Sequence, residues 1–140
     1  MRKYVLENDF LAIEVSTFGA ELQSIRDKAT GFEYLWYGDK TYWGRRSPVL
    51  FPIVGKVWEG RMRYQGAEYQ LSQHGFARDC EFEPIDVFDL NKKFNYCFSA
   101  SKVLAFVLHS NEDTRKLYPF DFSLYIAYQL NGREVEVYWI

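Results

Sequence analysis

The chain has 140 residues, 48% hydrophobic and 26% charged, a composition suited to one globular domain with a buried core. A formal net charge of −2 without a basic stripe argues against nucleic-acid binding, and no apolar run approaches the ~20 residues of a membrane-spanning helix. Cys80 and Cys97 lack CxxC spacing and no close cluster of zinc ligands accompanies them, so the expectation is a soluble cytoplasmic protein with free thiols and no metal.

The start, MRKYVLENDF, carries no apolar leader core, and Glu7-Asn8-Asp9 marks a first turn. LAIEVS (11–16) then alternates Leu11, Ile13 and Val15 with Ala12, Glu14 and Ser16, the period of a strand. GAELQSIRDK fits either a helix or a strand, with Leu22 and Ile25 suiting the latter. Short β-like runs follow at EYLWYG, GRMRYQ, AEYQLS, FNYCFSA and VLAFVLHS, with turn marks at Thr30-Gly31 and Gln65-Gly66. No segment shows a convincing amphipathic helix. SLYIAYQL (123–130) and REVEVYWI (133–140) close the chain as two strands around Asn131-Gly132, a strong hairpin signal. The spacing predicts an all-β, antiparallel fold of the sandwich type.

Two features break the rhythm. YWGRRSPVLFPIVGKV (42–57) carries Pro48 and Pro52, which remove backbone donors and so exclude a central ladder; Gly44 and Gly55 permit close backbone approach. A stiff, arginine-bearing loop of this kind builds binding sites on β scaffolds. The final run ends at Trp139-Ile140 with an apolar strand edge, which predicts either pairing with another chain or a longer polypeptide of which this is the first part.

WGRRSPVLFPIVGKV, YQGAEYQLSQHGFARDCEFE and YPFDFSLYIAYQL, in this order, resemble the aldose 1-epimerase family, above all its LacX-like branch, near the hexose-6-phosphate epimerases. The resemblance extends over nearly the whole chain. It implies the galactose mutarotase-like supersandwich, of which residues 1–140 form the N-terminal half. It also implies interconversion of the α and β anomers of a hexose or hexose phosphate, without metal or organic cofactor. Such chemistry needs an acid at the ring oxygen and a base at the anomeric hydroxyl. The resemblance assigns the first family histidine, a sugar-binding one, to His74. It places the acid histidine and the glutamate base at segments with no counterpart here, so catalysis by the chain alone is not expected.

Residue by residue, His74 is the leading substrate contact, with a hydrogen-bonded turn histidine as the alternative. Arg78 either forks onto ligand oxygens or pairs with Asp79 or Glu81. The resemblance puts one ligand-facing arginine at Arg45 or Arg46, favouring Arg45, and the double arginine leaves the register open. Three converging arginines would suit a sugar phosphate, and equally a neutral hexose rich in hydroxyls. Trp43, Phe51 and Phe76 are candidates for stacking on a sugar face, with core packing expected for at least two of them. His109 reads as a polar strand-end residue, Glu81, Glu83 and Asp86 as solvated carboxylates, and Cys80 as a buried, inert thiol. Rival readings are a non-catalytic carbohydrate-binding module and a structural half that needs a partner chain.

Overall fold

The computed structural model describes residues 1–140. Nine strands run antiparallel in three sheets. β1 (Lys3–Glu7), β2 (Leu11–Ser16) and β3 (Leu22–Asp27) form a meander, and β4 (Arg61–Tyr64) and β5 (Ala67–Gln70) form a hairpin. β6 (Glu83–Ile85), β7 (Val103–His109), β8 (Ser123–Asn131) and β9 (Glu134–Trp139) form a four-stranded sheet in that order.

Strand alternation explains why this sheet is covered on both faces. Side chains at alternate positions point to opposite faces, and in β8 Leu124, Ile126, Tyr128 and Leu130 enter the main core while Tyr125 and Ala127 enter a second cluster. β7 divides in the same way, Phe106 and Leu108 to one side and Val103, Ala105 and Val107 to the other. The main core is closed by the meander through Leu6, Leu11, Ile13, Val15 and Leu22. Two contacts fix the distance between these sheets: Tyr4 packs edge-on to Phe106 at 5.6 Å, and the Tyr128 hydroxyl donates to the Ala20 carbonyl at 2.7 Å.

The second cluster is closed by a helix that the periodicity does not predict. α1 (Val87–Phe94) places Val87 and Leu90 against the back of the sheet. Its N-cap is Asp86, whose carboxylate accepts from the Phe88 amide at 2.7 Å, and its C-cap is Asn95 in the left-handed region. FNYCFSA is therefore not a strand: Phe94 ends the helix, and Asn91 holds the following loop by exchanging two hydrogen bonds with the backbone of Phe98. A one-and-a-half-turn helix, α2 (Glu112–Leu117), starts at an Asn111–Thr114 capping box. EYLWYG is also not a strand, contributing only the bridge of Glu33 to Arg26.

The two hairpins obey turn chemistry. Gln65 and Gly66 both have positive φ (49° and 81°), as a two-residue type I′ connection requires. In the last hairpin Asn131 pairs with Glu134, so the turn residues are Gly132 and Arg133, with only Gly132 at positive φ, the pattern of type II′. The turn thus sits one residue beyond the Asn-Gly pair. In β9, Val135 packs on the main core while Val137 and Trp139, on the same face, remain 47% and 50% exposed.

Candidate functional site

The loop 47–55 and the turn 74–79 are joined by main chain. Ser47 fastens the loop to β3: its amide donates to the Glu21 carboxylate at 2.9 Å and its hydroxyl to the Leu22 carbonyl at 2.8 Å. Val49 is buried, and Phe51 packs at 4.9 Å from Phe122 and 6.1 Å from Phe76. The Phe51 carbonyl accepts from the amides of Phe76 (2.9 Å) and Ala77 (3.2 Å), and the His74 amide donates to Gly55 at 2.8 Å. Phe51 precedes a cis proline, Pro52.

This close approach explains Gly75. A Cβ there would lie 2.1 Å from the Phe51 carbonyl oxygen, and its φ is +69°. His74 shares that φ, +69°, an uncommon conformation for a residue with a side chain. The strain is held by the surrounding hydrogen bonds and aims the imidazole. His74 Nδ1 meets the Val54 carbonyl, which can only accept, so Nδ1 carries the proton of the neutral ring. Nε2 is then the acceptor, 3.2 Å from the Gln73 side-chain amide. In that tautomer Nε2 is free to accept a hydrogen bond.

Beyond a single 3-10 turn at Ala77–Asp79 the chain is fixed to the meander, with Gly19 donating to the Cys80 carbonyl at 2.7 Å and Phe82 to the Thr17 carbonyl at 2.8 Å. Arg78 therefore starts from an anchored backbone. Its Nη2 donates to the Gln73 carbonyl at 2.9 Å, and its Nε is buried with no hydrogen-bond partner, 3.6 Å from Asp79 Oδ2. Arg45 reaches the same place across 33 residues: Nη2 lies 2.6 Å from Asp79 Oδ1 and Nη1 3.4 Å from the Arg78 carbonyl. Asp79 thus stands between two guanidiniums. Burial pushes the neighbouring Cys80 thiol up from its ordinary range, with the Asp79 charge adding to the effect, in keeping with an unreactive thiol.

Arg46 goes elsewhere. Its Nη1 donates to the Gln23 carbonyl, and its own amide donates to Glu21 at 2.8 Å. The expected convergence of three arginines is therefore one of two, with Arg46 binding the loop to β3. Phe76 is only 7% exposed and edge-on to Phe51, so most of its ring supports the turn from the core. Trp43 is half-exposed in an aromatic loop, where its carbonyl accepts from Trp36 Nε1 at 2.8 Å. His109 ends β7 and bonds Ser123 at 2.8 Å, a strand-end role. Glu81 salt-bridges the N-terminal amine at 3.1 Å and accepts from the Thr17 hydroxyl at 2.5 Å.

An open depression of about 380 Å³ lies beside the turn, between Leu71, Ser72, Phe76 and Leu117 with Lys56 at its rim. His74, Arg45 and Arg78 do not line it; all three are half-buried at the turn itself. No group of three or more histidine, cysteine or carboxylate side chains is arranged to hold a metal ion.

Comparison with known proteins agrees with this architecture. Over 135 residues the chain is 31% identical to Protein LacX (plasmid) of Lactococcus lactis subsp. lactis, covering 93% of this chain and 41% of that protein. It superposes on a galactose mutarotase-like protein from Lactobacillus casei ATCC 334 with TM-score 0.86 and 35% identity, covering 99% of this chain and 43% of that one. A galactose mutarotase related enzyme from Lactobacillus acidophilus gives TM-score 0.82 and 37% identity over 94% of this chain and 40% of that one. The chain therefore spans about two fifths of the length of the relatives it matches, a partial domain of their fold. With a match to the aldose 1-epimerase family model over residues 2–138, the chain belongs to that family.

Proposed function

We propose that these residues form the sugar-holding part of an aldose 1-epimerase site, which binds the pyranose form of a hexose or hexose derivative in the cytoplasm. The carrying observation is the turn 74–79, whose backbone is anchored to Phe51 and Gly55, which carries His74 and Arg78, and to which Arg45 is tied through Asp79. An acceptor nitrogen and two donor-rich guanidiniums held by the same turn match hydroxyls, which both donate and accept. The free thiols of Cys80 and Cys97 suit a reducing compartment.

In mutarotation a base takes the proton from the anomeric hydroxyl, whose oxygen becomes the carbonyl oxygen as the bond from C1 to the ring oxygen breaks. That electron pair stays on the ring oxygen, which takes a proton from an acid. Rotation about the C1–C2 bond of the open-chain aldehyde and closure on its other face give the other anomer. Each half needs a proton-transfer group within hydrogen-bond reach. With Nδ1 engaged by the Val54 carbonyl, His74 is assigned to orienting the sugar, and the acid and base of the family have no counterpart among these residues. The chain alone thus holds the sugar without turning it over.

Polarimetry of freshly dissolved α-D-glucose or α-D-galactose tests this. The purified 140-residue chain is expected to leave the spontaneous rate unchanged. A rate increase proportional to protein concentration and abolished by His74→Ala would contradict it. A second reading, pairing of two copies through β9, is favoured by its unpaired outer edge and the exposed Val137 and Trp139. Sedimentation that stays monomeric at every concentration would rule it out.

A further inference from the structure

We propose that Asp79 sets the ligand class of this site, favouring neutral aldoses over their phosphate esters. This inference rests on the sugar-holding role proposed for the turn. The placement of Asp79 carries it. Asp79 places one oxygen 2.6 Å from Arg45 Nη2 and the other 3.6 Å from Arg78 Nε, so a single carboxylate lies between both cations and leaves the group a net charge of only +1. A phosphate dianion bridging the arginines must enter beside that carboxylate and is repelled by it. A sugar hydroxyl instead donates to it, which a dianion with no proton to give does not do.

The protein contacts of the arginines fix how they are presented. Bidentate recognition of phosphate uses two parallel N–H groups on one edge of a guanidinium. Arg45 directs Nη2 to Asp79 and Nη1 to the Arg78 carbonyl, and Arg78 directs Nη2 to the Gln73 carbonyl. Both guanidiniums keep further N–H groups for ligand oxygens, and the Asp79 carboxylate beside them limits the charge that those groups can receive. The third cation that would tip the balance toward an anion, Arg46, is held by the Gln23 carbonyl on β3. Asp79 is thus a positioning residue that acts through the two arginines and by its charge.

The test is the ratio of two affinities, which damage to the fold alone would not move. D-Galactose and D-glucose, and the 6-phosphate of each, are titrated into the 140-residue chain while the arginine Nε–H and the backbone amide resonances of residues 72–80 are followed. The wild-type chain is expected to bind the neutral sugars at least as tightly as the esters. Asp79→Asn is expected to shift the ratio roughly tenfold toward the esters, and Asp79→Glu to keep the wild-type preference. A wild-type preference of tenfold or more for the esters, or an unchanged ratio in a folded Asp79→Asn, would overturn the assignment and leave the sugar site standing. Binding of none of the four probes would overturn the sugar site and this assignment with it.

Discussion

β8 and the turn at His74 to Asp79 are both firmly placed, but by different atoms. In β8 the side chains do the holding: Ile126 is fully buried in the main core and Ala127 in the second cluster, and each strand neighbour adds a ladder of backbone bonds. At the turn the main chain does the holding, through the carbonyls of Phe51 and Gly55, and the side chains of His74, Arg78 and Arg45 stay half-buried at its edge. A core strand tolerates little change in volume but carries no free chemistry. A turn fastened by its backbone can present polar groups without burying them, which is what a binding site on a β scaffold requires.

That contrast can be broken from either side, and the largest effect is expected at Gly75. Gly75→Ala puts a Cβ against the Phe51 carbonyl at a positive φ, so the loop and the turn must separate; a loss of about 4 kcal/mol in urea unfolding is expected, together with loss of sugar-induced resonance shifts. Ile126→Ala leaves a cavity in the main core and is expected to cost about 3 kcal/mol while leaving those shifts in place. Equal damage to sugar response by the two substitutions would show that the turn has no independent anchorage.

The adjacent arginines sharpen the same contrast at smaller cost. Arg46→Gln removes the donor to the Gln23 carbonyl and is expected to lower stability by about 1 kcal/mol with sugar affinity unchanged. Arg45→Gln, at an exposed pair, is expected to change stability by less than about 1 kcal/mol and to weaken sugar binding severalfold. The reverse pattern would assign the ligand-facing position to Arg46.

The smallest effect concerns acid stability at the end of β3. The Thr30 backbone amide, then the Thr30 hydroxyl, and further the Ala29 amide and Arg133 hold the Asp27 carboxyl below its ordinary value of 3.8, outweighing the opposing effect of burial. A depressed native pKa gives stability that is present above the unfolded value and lost as pH falls through the native one. Wild type should therefore lose this contribution as the pH drops below 3.8, and Asp27→Asn should flatten that part of the acid unfolding curve. A curve that keeps its shape in Asp27→Asn would remove Asp27 from the account.

Much of this was legible in residue order because it depends on local rules. The alternation of β2, the apolar runs of β7 and β8, and the glycine turns at 65–66 and near 131–132 all declare themselves within a few residues. α1 does not, since its apolar stripe is two buried residues long and Phe88 interrupts it on the exposed side. The candidate site divides along the same line. The turn with His74 and Arg78 is visible as a motif, but the different destinations of Arg45 and Arg46 are set by partners 34 and 23 residues away, Asp79 and Gln23. Spacing carries no record of such contacts. Phe76, adjacent to Gly75, packs on Phe51 and Phe122 at the core, in line with the core packing expected for at least two of the three candidate aromatics, though which two is not written in the local pattern.

The central claim is that this turn holds a sugar, and a resonance-resolved titration of the 140-residue chain with D-galactose tests it most directly. Saturable shifts at the amides of residues 73–79 and at the Arg45 and Arg78 Nε–H groups, abolished together by His74→Ala with the rest of the spectrum unchanged, are the predicted result. Shifts that fail to saturate, or that map to β9 or the depression beside Lys56 and leave the turn untouched, would contradict it.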